Sequence, residues 1–200
     1  MNNNVFINCP FDDIYIPFLD SILFSIYFCN FKPRCALEIE DGTQNRLEKI
    51  YNIIEDCDLG IHDISRTELN AHNLPRFNMP FEFGIFLGAK RYGSKRQKIK
   101  SCLILDTKKF RYQEFISDIA GHDIKAHNNN PRQIIKNIRN WLNSLNTGSK
   151  LPGATAIINK YEEFLKKKPQ IFKKFHLALD DVEYADNIQI IEEWINQNPI

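Results

Sequence analysis

Short β-type runs alternate with helical patterns five times through the first three-quarters of the chain, and this alternation constrains the fold most. The runs that favour strands lie at residues 5–8, 34–39, 59–64, 100–105 and 124–127. An amphipathic helical pattern closes the series, with Asn130 as its candidate N-cap and Pro131 in its first turn. Such alternation is typical of a parallel sheet with helices on both faces. We therefore predict a three-layer α/β/α fold with a five-stranded parallel sheet.

The character of the sequence changes near residue 146. Residues 146–155 (NTGSKLPGAT) have the composition of a linker, and the patterns beyond them are amphipathic helices without β-type runs. We therefore predict an α/β domain at 1–146, followed by a linker and a helical C-terminal appendage at 147–200. The appendage is interpreted as extra cover for the sheet or a dimer surface, and a contact for a partner protein is the alternative.

Charge and composition exclude several classes of partner. The 26 Lys and Arg residues nearly balance the 25 Asp and Glu residues, so no overall field attracts nucleic acid or an anionic membrane. The N-terminus lacks the pattern of a signal peptide, and no apolar run approaches the ~20 residues of a membrane-spanning helix. Neither the five His nor the five Cys residues show metal-binding spacing. We expect a cytoplasmic protein without a metal site, membrane association or direct nucleic-acid binding.

Polar side chains follow the predicted strands. In open α/β sheets, ligands bind at the carboxyl ends of the strands. The polar groups expected there are Asn8, Asp12, Asp13, Glu40, Asp41, Asp63, Ser65, Arg66 and Asp106.

One carboxylate interrupts an otherwise apolar helical run, NMPFEFGIFLGAK, that begins at Asn78. A buried charge without a partner is costly, so we expect Glu82 to face a pocket near the start of this helix. Asp63 ends the preceding strand and is expected at the same edge of the sheet, so the two carboxylates are predicted to border one cleft. The alternative is that Glu82 complements its helix terminus and Asp63 caps the loop.

These two segments resemble the core of the nucleoside 2-deoxyribosyltransferase-like and Toll/interleukin-1 receptor (TIR)-like families. In those families a strand ending in D-[IL]-[ST] precedes a helix that carries N-x-x-x-E-L-G. The matching residues are Ile61, Asp63, Ile64 and Ser65, then Asn78, Glu82, Phe83, Gly84 and Lys90. The resemblance covers about the first 145 residues and implies a flavodoxin-like or TIR-like sheet. The loop at residues 66–77 is longer than either family pattern requires.

The resemblance implies chemistry at an N-glycosidic bond. Glu82 would be the catalytic carboxylate, since cleavage builds oxocarbenium character at C1′ that a carboxylate stabilises or traps. Asp63 would orient the base or ribose, Asn8 and the loop after it would line the nucleotide pocket, and Arg66 would contact phosphate. The full set of implied substrate-binding residues is Asn8, Pro10, Phe11, Asp12, Asp41, Asp63, Ser65, Arg66 and Asn78.

The function expected from the resemblance is hydrolysis of NAD or a related nucleotide in a regulated, antiviral-defence type of role. NAD or the nucleotide would be substrate or ligand, and no separate cofactor is expected. Control would come from a homo-oligomer or from a protein partner at the C-terminal helices. Two alternatives stay open: a non-catalytic nucleotide-binding sensor or signalling module, and a nucleoside 2-deoxyribosyltransferase of salvage metabolism.

Overall fold

A five-stranded parallel sheet forms the centre of the protein. The computed structural model describes residues 2–38, 41–69, 71–145, 150–178 and 182–199. The strands are β1 (Asn4–Asn8), β2 (Lys32–Arg34), β3 (Leu59–Asp63), β4 (Ser101–Asp106) and β5 (Ile124–Ala126). Every neighbouring pair is parallel, in the order β2-β1-β3-β4-β5. The predicted three-layer α/β/α fold is confirmed.

Helices cover both faces of the sheet. They are α1 (Ile16–Phe28), α2 (Arg46–Asp56), α3 (Asn78–Tyr92), α4 (Pro131–Ser144), α5 (Ala154–Lys174) and α6 (Tyr184–Gln197). α1 and α4 pack on one face, and α2 and α3 pack on the other. The Asn130 side chain accepts a hydrogen bond from the backbone N–H of Arg132 and caps α4, whose first residue is Pro131, as predicted. Local capping chemistry therefore sets where this helix begins.

The C-terminal helices pack on the outside of α1 and α4. The ring of Phe24 in α1 lies 5.5 Å from Phe164 in α5 and 5.7 Å from Trp194 in α6, measured between ring centroids. The main apolar core of the protein therefore runs from the sheet through α1 into α5 and α6. The predicted domain boundary at residues 146–147 lies outside the described residues. None of the helices in the described ranges is long and apolar enough to cross a membrane.

Two predicted elements differ from the structure. The second strand was expected at residues 34–39, but β2 ends at Arg34. The chain turns after it, with the Glu38 backbone N–H donating to Cys35 O, and Arg34 forms a bidentate ion pair with Glu38. β2 pairs only with β1, and an edge position tolerates Pro33 in the strand. The short helix expected at residues 112–119 is two 3-10 turns, Arg111–Glu114 and Ser117–Ile119.

Gly60 in β3 is required by close packing rather than by its backbone dihedral angles. A Cβ at this position would lie 2.8 Å from His62 Nε2 and 2.9 Å from Phe86 Cε2. The missing side chain gives His62 room against the rings of Phe83 and Phe86, at centroid distances of 4.9 and 4.8 Å. The sheet and α3 thus approach closely beside the carboxyl edge.

Candidate functional site

Glu82 is a buried carboxylate, and no residue in the described ranges donates a hydrogen bond to its oxygens. It lies in the second turn of α3, and 8% of the residue is exposed. Burial raises the pKa of Glu82 to about 7, although the positive charge of Arg46 at the start of α2 acts in the opposite direction. Burial therefore favours the neutral form of this carboxyl group relative to an exposed glutamate. Burial outweighs the helix dipole, which favours the ionised form of a carboxyl group near a helix start.

Asn8 links the end of β1 to the start of α3. Its Nδ2 donates to the backbone carbonyl of Met79 at 2.8 Å and lies 3.1 Å from His62 Nδ1. Because His62 Nδ1 accepts this hydrogen bond, the proton of the neutral imidazole lies on Nε2. Burial and the charge of Lys100 lower the pKa of His62 to about 3, so the ring stays neutral. Asn8, predicted as a substrate contact, is 1% exposed and acts in this structure as a positioning residue for α3.

Asp63 has a complete set of partners in the protein interior. It is fully buried and accepts hydrogen bonds from the Tyr15 hydroxyl at 2.5 Å and the Ser65 backbone N–H at 2.8 Å. His127 Nε2 lies 3.3 Å from the same carboxylate. Burial by itself would raise the pKa of Asp63, but His127, Ser65 and Tyr15 together lower it below its usual value. Asp63 therefore joins β3 to the residues that precede α1 and α4.

The prediction that Asp63 and Glu82 border one cleft is wrong for this structure. Successive side chains of a strand point to opposite faces of the sheet. His62 contacts the aromatic rings of α3, whereas the neighbouring Asp63 points to Tyr15 on the α1 face. Both carboxylates raise the pKa of the Cys9 thiol after β1, behind the larger effect of burial. They thus flank the end of β1 from opposite faces of the sheet.

Two loops at the carboxyl edge are held together by Asp12. Its carboxylate accepts from Arg66 Nη1 and Arg76 Nη1, both at 3.0 Å. Arg66 also pairs with Glu68 at 2.8 Å. The predicted phosphate contact Arg66 is therefore already engaged in ion pairs in the free protein.

Arg111 fixes the loop after β3, a role that the sequence analysis did not assign. It donates to Asp106 Oδ1 through Nε and Nη2, at 2.8 and 2.6 Å. The same guanidinium reaches Thr67 Oγ1 at 2.7 Å and the backbone carbonyl of Ser65 at 2.8 Å. The forked N–H donors of an arginine guanidinium are well suited to bind a buried carboxylate. The sequence feature that could have indicated this role is the position of Arg111 five residues after Asp106, the last residue of β4.

The other predicted site residues make no side-chain hydrogen bond with Glu82 within the described ranges. Asp41 accepts from the backbone and hydroxyl of Thr43, and these hydrogen bonds lower its pKa. Asn78 is exposed at the start of α3, while Ser65 and Pro10 are buried. Asn78 lies one turn before Glu82 in the same helix, and within the described ranges no side-chain hydrogen bond or ion pair joins Asp41, Asn78, Ser65 or Pro10 to Glu82. Tyr15, which the sequence did not single out, and His127, which follows β5 in a polar segment that could border the same edge, contact Asp63 instead.

A cavity of about 810 Å³ lies between the β1–α1 loop, the turn after β2, and the C-terminal helices. Phe11 and Asp13, both expected near the ligand-binding edge, line it, and Glu82 does not. Within the part of the chain that the structure describes, no group of three or more His, Cys, Asp or Glu side chains is arranged to hold a metal ion.

No protein family, curated protein or solved structure matches this chain.

Proposed function

We propose that the protein is a nucleotide-directed N-glycosidase that hydrolyses NAD or a related nucleotide, with Glu82 as its catalytic carboxylate. The observation that carries this proposal is the state of Glu82: a carboxylate buried at the carboxyl edge of the sheet, to which no described residue donates a hydrogen bond. Strongly perturbed carboxyl groups at such an edge are concentrated in functional sites. A residue needed only for helix capping would have its oxygens engaged by backbone N–H groups.

The chemistry follows from a largely buried carboxylate to which no described residue donates a hydrogen bond. As the N-glycosidic bond breaks, the base leaves with the bonding electron pair and positive charge develops at C1′ of the ribose. The ionised form of Glu82 stabilises that charge or bonds to C1′, and water then completes the hydrolysis. The free oxygens of Glu82 also suit the ribose hydroxyls, which are donors. Substrate would thus supply hydrogen-bond donors that no described residue supplies.

The buried state of the neighbouring residues favours a second candidate, a nucleotide-binding sensor. Asn8 and Asp63 are almost completely inaccessible and engaged with other protein groups. A ligand that contacts them would have to displace those partners, which is how a sensor changes conformation. In that case Glu82 would bind ribose without turnover.

The proposed role is regulated, because unrestrained hydrolysis of NAD would be toxic. We place it in a cytoplasmic defence response, with control through a homo-oligomer or through a protein partner at α5 and α6. These helices share an apolar core with α1, so a partner bound to them would act on elements that pack against the sheet.

The test incubates the protein at high concentration with NAD and with a panel of nucleosides. Chromatography then measures the free base that is released. Glu82→Gln is expected to lower the rate at least about a hundredfold, since one preorganised electrostatic group is typically worth that much. Glu48→Gln, at an exposed position of α2, is the matched control and should leave the rate unchanged. Glu82→Gln activity equal to that of the control refutes the catalytic role. Ligand binding without base release favours the sensor, and transfer to an added base in excess of hydrolysis favours a deoxyribosyltransferase.

A further inference from the structure

The cavity beneath the C-terminal helices has the size and walls of a small-molecule site. Its volume of about 810 Å³ falls within the usual range for ligand pockets. Most of its lining side chains are apolar: Phe11, Ile16, Leu19, Leu37, Leu165, Pro169, Phe172, Val182 and Ala185. They come from the β1–α1 loop, α1, the turn after β2, α5 and α6. An occupant would therefore contact the α/β core and both C-terminal helices together.

Two polar side chains that line the cavity share a buried carboxylate. Asp20 in α1 accepts from Lys168 Nζ at 2.5 Å and from Asn187 Nδ2 at 2.7 Å. Among the described residues, Asp20 is the hydrogen-bond acceptor of the Lys168 ammonium, which has three N–H donors. The Lys168 side chain keeps 15% of its surface exposed and lines the cavity. The cavity thus offers hydrogen-bond donors on an otherwise apolar wall.

The charges around the cavity disfavour anionic ligands. Asp20 balances the charge of Lys168, and Arg34 balances that of Glu38. Asp13 and Glu183 also line the cavity, and no cation in the described ranges pairs with either of them. Nucleotides and other polyanions would therefore meet net negative charge at this position.

We propose that this cavity is a second ligand site, which takes an uncharged, mainly apolar ring compound that carries a hydrogen-bond acceptor for Lys168. The site is separate from Glu82, which does not line it. The proposal is independent of the N-glycosidase function, because its test measures binding alone.

The experiment uses the dye Nile red as the probe, since it is uncharged, planar and bears a ring carbonyl. Fluorescence titration of the full chain is expected to show saturable binding of one dye per chain. Ala185→Trp adds a large side chain at an exposed position that lines the cavity, and should weaken the dye affinity by at least about tenfold. Gln189→Trp, one turn further along α6 and outside the lining, is the matched control and should bind like the wild type.

A double variant, Lys168→Met with Asp20→Asn, tests whether a hydrogen bond from Lys168 contributes to ligand binding. It removes both charges together, so neither is left buried without its partner. We expect circular dichroism like that of the wild type and an affinity lowered about fivefold or more. If this variant does not fold, the comparison of the two tryptophan variants still decides whether the cavity binds.

Three results with Nile red would overturn the proposal. They are the absence of saturable Nile red binding, equal affinities of the Ala185→Trp and Gln189→Trp variants, and full affinity in the folded double variant. Tighter binding of the anionic dye 8-anilinonaphthalene-1-sulfonate at the same cavity would also refute the uncharged class of ligand.

Discussion

Replacing Glu82 by Gln should stabilise the folded protein at alkaline pH while it removes the proposed activity. Burial raises the pKa of Glu82 from 4.5 to about 7. Because the folded state binds this proton more tightly than the unfolded state, the favourable contribution of Glu82 is fully present below pH 4.5. It is lost as the pH rises through about 7. Gln cannot ionise and avoids this loss.

The size of the effect follows from the change in pKa. A rise from 4.5 to about 7 corresponds to about 3–4 kcal/mol at about 1.4 kcal/mol for each pKa unit. Glu82 keeps slight contact with solvent, which reduces the cost of burying its charge, so we expect Gln to raise the free energy of unfolding by about 2 kcal/mol above pH 8. Below pH 4.5 the wild-type carboxyl is neutral in both states, and the difference should approach zero.

Urea unfolding of the wild type and Glu82→Gln at a series of pH values from 4 to 9 measures this difference directly. Glu48→Gln serves as the control, and its effect on the free energy of unfolding should change little across the series. A Glu82→Gln difference that does not grow with pH refutes the reasoning. A variant less stable than the wild type at alkaline pH would mean that a donor satisfies the ionised Glu82.

The remaining predictions concern the packing and hydrogen bonds beside the site. Gly60→Ala should lower the free energy of unfolding by about 1–3 kcal/mol, because its Cβ would lie 2.8 Å from His62 Nε2. In contrast, Gly84→Ala in α3 should raise it by about 0.5–1 kcal/mol, since its Cβ would meet nothing within 4 Å; equal shifts in the thermal midpoints of this pair would contradict both. Tyr15→Phe should cost about 1–2 kcal/mol in urea unfolding and raise the pKa of Asp63, which loses a donor. An NMR titration that finds the pKa of Asp63 unchanged would contradict the role of that hydrogen bond.

The sequence determined the fold class, because the signals involved are local. Alternation of β-type and helical patterns predicted the parallel sheet, and the α4 start was predicted from Asn130 and Pro131. A side-chain cap and a fixed proline φ act within a few residues, so they can be recognised without knowledge of the tertiary structure. β2 was misplaced because its extent depends on pairing at the edge of the sheet with β1, which the sequence of the strand itself does not specify.

The candidate site was only partly predictable, since its properties depend on which elements meet in space. Position after a strand or at a helix start brought Asp63 and Glu82 to the carboxyl edge. Tertiary packing decided that Asp63 turns to Tyr15 and His127 on one face, while Glu82 is carried by a helix on the other. The raised pKa of Glu82 likewise arises from burial by groups distant in sequence. Sequence spacing determines which residues reach an edge of the sheet, whereas burial and partner choice are set by contacts between segments far apart along the chain.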